Sequence, residues 1–152
     1  MTVITANMRG LAALQKRLEQ LSKEEATKAG QIANRAGAAT LRKEVIKQAP
    51  NSPKTTEGEQ RTRHNKGGTT RQEAHGKIVN HVKVKKTKST DPTQVKNAVT
   101  IGSKAYHSSF VEFGSIRNTA DPFMLRALQI AQQSIIDTIA KVLNKQLIKR
   151  NA

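Results

Sequence analysis

The chain contains no cysteine and no tryptophan. Without a thiol it can build neither a disulfide framework nor a thiolate-ligated metal site. Acidic residues are scarce, 11 against 27 Lys and Arg, which leaves a formal net charge of +16. Such a chain repels itself and is drawn to polyanions: nucleic acid, an anionic membrane or an acidic protein surface. A solvated basic surface with no binding role accounts for the same charge equally well. No apolar run approaches the ~20 residues that a membrane span needs, and the N-terminus lacks a signal-peptide pattern. Together these absences predict a soluble protein made and used in a reducing cytoplasm, without a membrane partner.

Aromatic residues are few and concentrated. Tyr106, Phe110, Phe113 and Phe123 are all there are, and they fall within one stretch ending at Leu128. Because each aromatic can bury ~150–250 Å², this stretch is the expected core. Tyr106, Phe110 and Phe113 lie on one helical face, and Gly114 suits the left-handed residue that ends a helix. Asp121 can offer a side-chain oxygen to free amides, and Pro122 suits the first helical position. The expectation is a short helix, a turn and the start of a long helix.

The rest follows hydrophobic periodicity. Leu11, Leu14, Leu18 and Leu21 recur at helical spacing and predict a first amphipathic helix. Ser22-Lys23-Glu24-Glu25 matches a capping box, opening a second helix or kinking the first. That helix should run to about Gln48, since Pro50 disfavours helical geometry before it. Ala26, Ala29, Ala33, Ala36 and Thr40, flanked by Ile32, Ala39 and Ile46, give it an inner face of small side chains. Such a face permits close approach to a neighbour, although alanine also serves simply as a good helix former.

Residues 51–76 lack large apolar groups and are rich in turn formers, so they read as a long flexible basic loop carrying Arg61, Arg63, Lys66 and Arg71. Alternation resumes with Ile78, Val82 and Val84 on one face and His81, Lys83 and Lys85 on the other, followed by Lys86. After a turn near Asp91-Pro92, Val95, Asn97, Val99 and Ile101 alternate up to Gly102. The pair predicts an antiparallel hairpin with one apolar and one cationic face. The final helix shows Leu125, Leu128, Ala131, Ile135, Ile139, Val142 and Leu147 at helical spacing, widened by Ile136 and Leu143. The 152 residues thus predict one α+β domain, 1–152, with a small antiparallel sheet packed against long N- and C-terminal helices. Two long helices and a small sheet leave much apolar surface for one domain to cover, which predicts oligomerisation.

Signals for chemistry are weak. His64, His75, His81 and His107 have no thiol to pair with and no HExxH spacing, and read as solvent-facing structural histidines. Glu112 sits among aromatics, which could raise its pKa as a catalytic acid requires. No second carboxylate or nucleophile lies near it in sequence, so capping or an ion pair with Arg117 or Arg126 is expected. Gly67-Gly68 is not followed by the Lys-Ser/Thr of a phosphate-binding loop. Neither catalytic residues, metal ligands nor a cofactor site is expected, and no nucleic-acid-reading motif is present. Sequence-independent attraction to phosphate remains, centred on residues 42–104, where 15 Lys and Arg face five acids.

The segment Phe110–Leu128 resembles a family of tailed-bacteriophage minor tail components, the tail-completion or head–tail joining proteins of the "gene product ten" type. The shared elements are Phe110, Glu112-Phe113-Gly114-Ser115, a loop, then Pro122-Phe123 and a long helix. A long N-terminal helix ending at Ala49-Pro50 and a strand after Gly76 also fit in order. The chain departs from the family in having His75-Gly76 where Thr-Gly is usual, and Arg126-Ala127 where Pro-Ala is common. Its 51–76 loop is also longer. The resemblance implies a non-enzymatic virion protein made in the host cytoplasm and built into a six-fold homo-oligomeric ring at the head–tail junction. Its implied partners are the head connector or adaptor, the tail tube or tail terminator, and double-stranded DNA passing through the lumen. Arg61, Arg63, Lys66, Arg71, Lys83, Lys85 and Lys86 could contact that DNA or a partner. The alternative is a free, sequence-independent DNA-binding protein of nucleoid type. A toxin-like or RNA-processing enzyme would need a clustered His/Glu site that the sequence does not display.

Overall fold

The computed structural model describes residues 14–16, 19, 22–50, 60–64, 66–74, 76–89, 91 and 94–150. Leu14, Gln15, Lys16 and Glu19 are helical; the remainder of the expected first helix lies outside the described residues, as do His75 and Pro92. Helix α1 spans Lys23–Gln48. The expected serine cap forms at its start. The Ser22 hydroxyl accepts the Glu25 N–H at 3.3 Å and donates back to the Glu25 carboxylate at 3.2 Å. One turn on, Lys28 meets Glu24 at 2.7 Å, and this hydrogen bond and charge hold the exposed Glu24 carboxyl below its usual range. The helix stops where Ala49 turns extended, ahead of Pro50.

Helix α1 packs most extensively on the long C-terminal helix α4, Phe123–Arg150. The two are antiparallel: Gln48, at the end of α1, accepts from Arg126 near the start of α4, while Gly37 faces Ile139. The α1 face buried here is Ala29, Ala33 and Gly37, so the small residues do permit close approach. Gly37 is the tightest point, where an added Cβ would fall 2.6 Å from Ile139 Cγ1. On α4 the buried set is Phe123, Ala127, Ala131 and Leu147. Leu125 and Leu128, expected on the inner stripe, are instead 50% and 39% exposed, because the face of α4 covered on packing carries Ala127 and Ala131.

Strands β3 (Val82–Thr87) and β4 (Lys96–Ile101) form a two-stranded antiparallel sheet, Val82 opposite Ile101 and Thr87 opposite Lys96. This sheet lies against α1. Arg42 Nε donates to the Val82 carbonyl at 2.7 Å, and Asn34 Nδ2 donates to the Val95 carbonyl at 2.7 Å. The core gathers Val45, Ala49, Ile78, Val82, Ala105, Phe123 and Ala127 where α1 ends and α4 begins. Each fully buried large side chain there contributes about 1.5–3 kcal/mol. The fold is α+β, with long helices at both ends and a small antiparallel sheet.

Three local expectations are corrected. Ile78–His81 is a short helix, α2, and the strand starts at Val82. The buried Ile78 fits either element, and helical geometry sends it into the core beside Val82. His81 does not face solvent. It is half-buried against Gly76, and its carbonyl accepts the Gly102 N–H at 2.9 Å. The supposed structureless loop holds a hairpin, β1 (Gln60–His64) and β2 (Thr70–Ala74), with Gln72 donating to Thr62 across the pair at 2.9 Å. Its strands are polar on both sides, so no apolar alternation marks them. The turn includes Gly68, whose positive φ of 75° only glycine adopts at ease.

Candidate assembly surfaces

The aromatic stretch folds as a 3-10 turn at Ser103–Ala105, the helix α3 at Ser108–Phe113, and a loop leading to α4. Gly114 ends α3 with φ 79° and ψ 174°, a region essentially restricted to glycine. Ser115 and Asn118 then close a tight turn through paired backbone hydrogen bonds of 2.9 and 3.2 Å, and the Asp121 N–H returns to the Val111 carbonyl at 2.7 Å. Glu112 takes the capping role. Its carboxylate accepts the N–H groups of Met124 at 2.9 Å and Leu125 at 3.3 Å. Asp121, expected to cap, instead pairs with Arg126 at 2.8 Å. The reason is geometric: Glu112 arrives from α3 over the helix end, leaving Asp121 beside it.

This arrangement corrects the expectation of an aromatic core. Phe123 is fully buried, but Tyr106, Phe110 and Phe113 are 43%, 49% and 82% exposed. Tyr106 and Phe110 meet edge-to-face with centroids 6.2 Å apart. Beside them an open groove of about 790 Å³ runs between α3, β4 and the facing parts of α1 and α4, with Leu41, Val99, Phe113, Met124, Leu125 and Leu128 among its walls. Leu41 and Met124 were not singled out in the sequence. The signal available there was the surplus of apolar residues over what two thin layers can cover.

The cationic residues are sorted by strand parity. Lys83 and Lys85 are exposed and pair in register with Thr100 and Ala98, on the sheet face opposite Val82 and Val84. Lys86 shares the parity of Val82 and Val84. It lines a separate cleft of about 280 Å³ with Arg35, Gln31 and Asn97 over an apolar floor. The three lysines therefore do not form one face. Arg61, Arg63 and Arg71 lie on the hairpin strands, with Arg63 opposite Arg71 and Arg61 opposite Glu73. Lys66 is exposed at its turn. Among the described residues no three His, Asp or Glu side chains gather as a metal-binding group, and no helix is long and apolar enough to cross a membrane.

Comparison with curated proteins returns no match, and neither does comparison with solved structures. A family model does match. It is described as "Bacteriophage HK97-gp10, putative tail-component", and it covers residues 12–114, well over half of the 152. The matched span takes in α1, both hairpins and Glu112-Phe113-Gly114, and stops short of Pro122-Phe123 and α4. The chain belongs to the HK97-gp10-like family of bacteriophage tail components.

Proposed function

We propose that the protein is a structural, non-enzymatic virion component, forming as a single domain a six-fold ring at the head–tail junction between the head connector and the tail tube or its terminator. Membership of a phage tail-component family is the observation that carries this reading. Three features of the geometry support it. The exposed aromatics of α3 offer apolar surface for neighbouring proteins, and the β1–β2 hairpin offers a basic arm for a neighbour or an adjoining ring. Lys83 and Lys85, exposed together on one sheet face, suit a channel wall, where diffuse positive charge attracts DNA of any sequence. The test is genetic and structural. Phage lacking this protein should accumulate filled heads and free tails that do not join, and electron microscopy of the purified protein with its connector should reveal a ring on the connector. Normal joining without the protein would overturn the reading.

The net charge of +16 favours one alternative, a free nucleoid-type DNA-binding protein. Gel shifts over a salt series separate the two. Tight binding of duplex DNA by the isolated protein at physiological salt supports the alternative; weak binding together with ring formation supports the junction role.

A further inference from the structure

Between α1 and the sheet lies the cleft of about 280 Å³ that Lys86 shares with Arg35. Sequence spacing builds both of its walls. Gln31 and Arg35 stand one turn apart on α1 with Ile32 beside them, so the three share one side of the helix. Val84 and Lys86 alternate onto one face of β3, and Asn97 lies opposite Lys86 in register. Val95 completes the floor from just before β4, where its carbonyl accepts Asn34 Nδ2 at 2.7 Å.

The charge and the floor of this cleft are both left open. The side chains of Arg35 and Lys86 form no ion pair or hydrogen bond among the described residues, and no Asp or Glu lines the cleft. Their charge stands unmatched. Gln31 and Asn97 add side-chain amides that are likewise unengaged among the described residues. The floor is apolar. Ile32 stays 44% exposed, although the sequence sets it beside the small-residue face of α1, and Val84 and Val95 are half-buried.

We propose that the cleft binds a segment of a partner protein in which an acidic residue adjoins an aliphatic one. The carboxylate bonds the planar guanidinium of Arg35 and lies near the Lys86 ammonium. The aliphatic group covers Ile32, Val84 and Val95, and Gln31 and Asn97 are placed to bond the backbone of the segment. Charge and floor together choose this occupant. A phosphate backbone satisfies the cations but leaves the apolar floor wet, and no aromatic lines the cleft for a base to stack on. A purely apolar segment leaves the cations unmatched. The volume falls just below the ~300–1,000 Å³ of small-molecule sites, which suits a side chain or two better than a cofactor. Lys83 and Lys85 lie on the other face of the sheet, outside the cleft, and so serve as a control of equal charge.

The test titrates short capped peptides into the isotope-labelled full chain and follows backbone amide NMR shifts. One peptide carries leucine beside glutamate; a second has glycine in place of the leucine, and a third has glutamine in place of the glutamate. The first should move the amides around Arg35 and Lys86 and bind at least about tenfold more tightly than either of the others. Arg35→Gln/Lys86→Gln should weaken it at least about tenfold, and Ile32→Ser should reduce it to the level of the glycine peptide. Lys83→Gln/Lys85→Gln removes the same charge and should weaken it far less. The dispersion of each variant's spectrum checks that it still folds. Equal losses from the two double variants would make the attraction diffuse and overturn the proposal. So would equal binding of the glycine peptide, still cleft amides at millimolar peptide, or duplex DNA moving those amides in the peptide's place. Self-association of the full chain that Arg35→Gln/Lys86→Gln abolishes would give the cleft to a second copy, with the same consequence. The virion role is tested separately by phage lacking the protein, so either reading can fail alone.

Discussion

Glu112 holds the first turn of α4 through Met124: its Oε2 accepts the Met124 N–H at 2.9 Å while Oε1 accepts that of Leu125 at 3.3 Å. The first N–H groups of any helix lack intrahelical partners, and a carboxylate there also meets the positive end of the helix dipole. Because the donor helix and the acceptor come from different elements, the bond also fixes α3 on α4. Glu112→Ala should cost about 1–3 kcal/mol in urea unfolding. Glu112→Gln keeps an acceptor without the charge and should recover part of that loss. A change within about 0.5 kcal/mol for the alanine variant, the range of ordinary surface substitutions, would mean the cap is incidental.

The contact of Gly37 with Ile139 sets how closely the long helices approach. An added Cβ would lie 2.6 and 2.7 Å from Ile139 Cγ1 and Cδ1. Gly37→Val should therefore destabilise by about 1–3 kcal/mol, the usual cost of overpacking. Ile139→Ala alone opens a cavity and also destabilises. The double variant should be less destabilised than the two single changes added together, by 0.5 kcal/mol or more. Strict additivity in chemical denaturation would place the cost of Gly37→Val elsewhere.

Much of this frame was legible from residues alone. The Ser22 cap, the stop before Pro50, the small-residue face of α1 and the end of the sheet at Ile101 all follow from local chemistry that tertiary packing leaves unopposed. The failures share one cause. Periodicity reports that a residue is apolar but not which neighbour covers it. Leu125 and Leu128 fit a helical stripe as well as Ala127 and Ala131 do, and only the approach of α1 decides which pair is buried. The same holds for Phe110 and Phe113, whose size suggested a core that this chain does not have enough layers to build. The β1–β2 hairpin escaped for the opposite reason: its strand sequences are almost wholly polar, so no pattern of two could mark them. Glu112 was readable as a cap only in kind, since its target lies 12 residues away.

Two glycines should respond to alanine in opposite directions. Gly114 has φ 79° and ψ 174°, and a Cβ there would sit 3.1 Å from the Ala120 nitrogen and 3.2 Å from the Asn118 carbonyl oxygen. Gly114→Ala should lose about 1–3 kcal/mol, the strain of holding a side chain in that region. Gly30 lies inside α1, and its Cβ would meet only Val95 Cγ2 at an ordinary 3.7 Å. Gly30→Ala should gain about 0.5–1 kcal/mol through helix propensity. Thermal unfolding of both variants checks the pair, and a common sign would contradict the conformations described.

Sheet register makes the lysines of β3 unequal, and that inequality can be measured. Lys83 and Lys85 project from one face, opposite Thr100 and Ala98, whereas Lys86 shares the parity of Val82 and Val84 and lines the cleft beside Arg35. If the outer face meets a DNA backbone, each phosphate neutralised contributes about 0.9 to the slope of log affinity against log salt. Lys83→Gln/Lys85→Gln should then lower that slope by up to about 2 in fluorescence anisotropy with duplex DNA, equally for unrelated sequences. Lys86→Gln should lower it less than either outer lysine does, because Lys86, although exposed, lies on the other face of the sheet beside Arg35. Equal effects from all three lysines would show that the sheet does not sort its charge toward a phosphate backbone. An unchanged slope in the double variant would remove the outer face from any role as a channel wall.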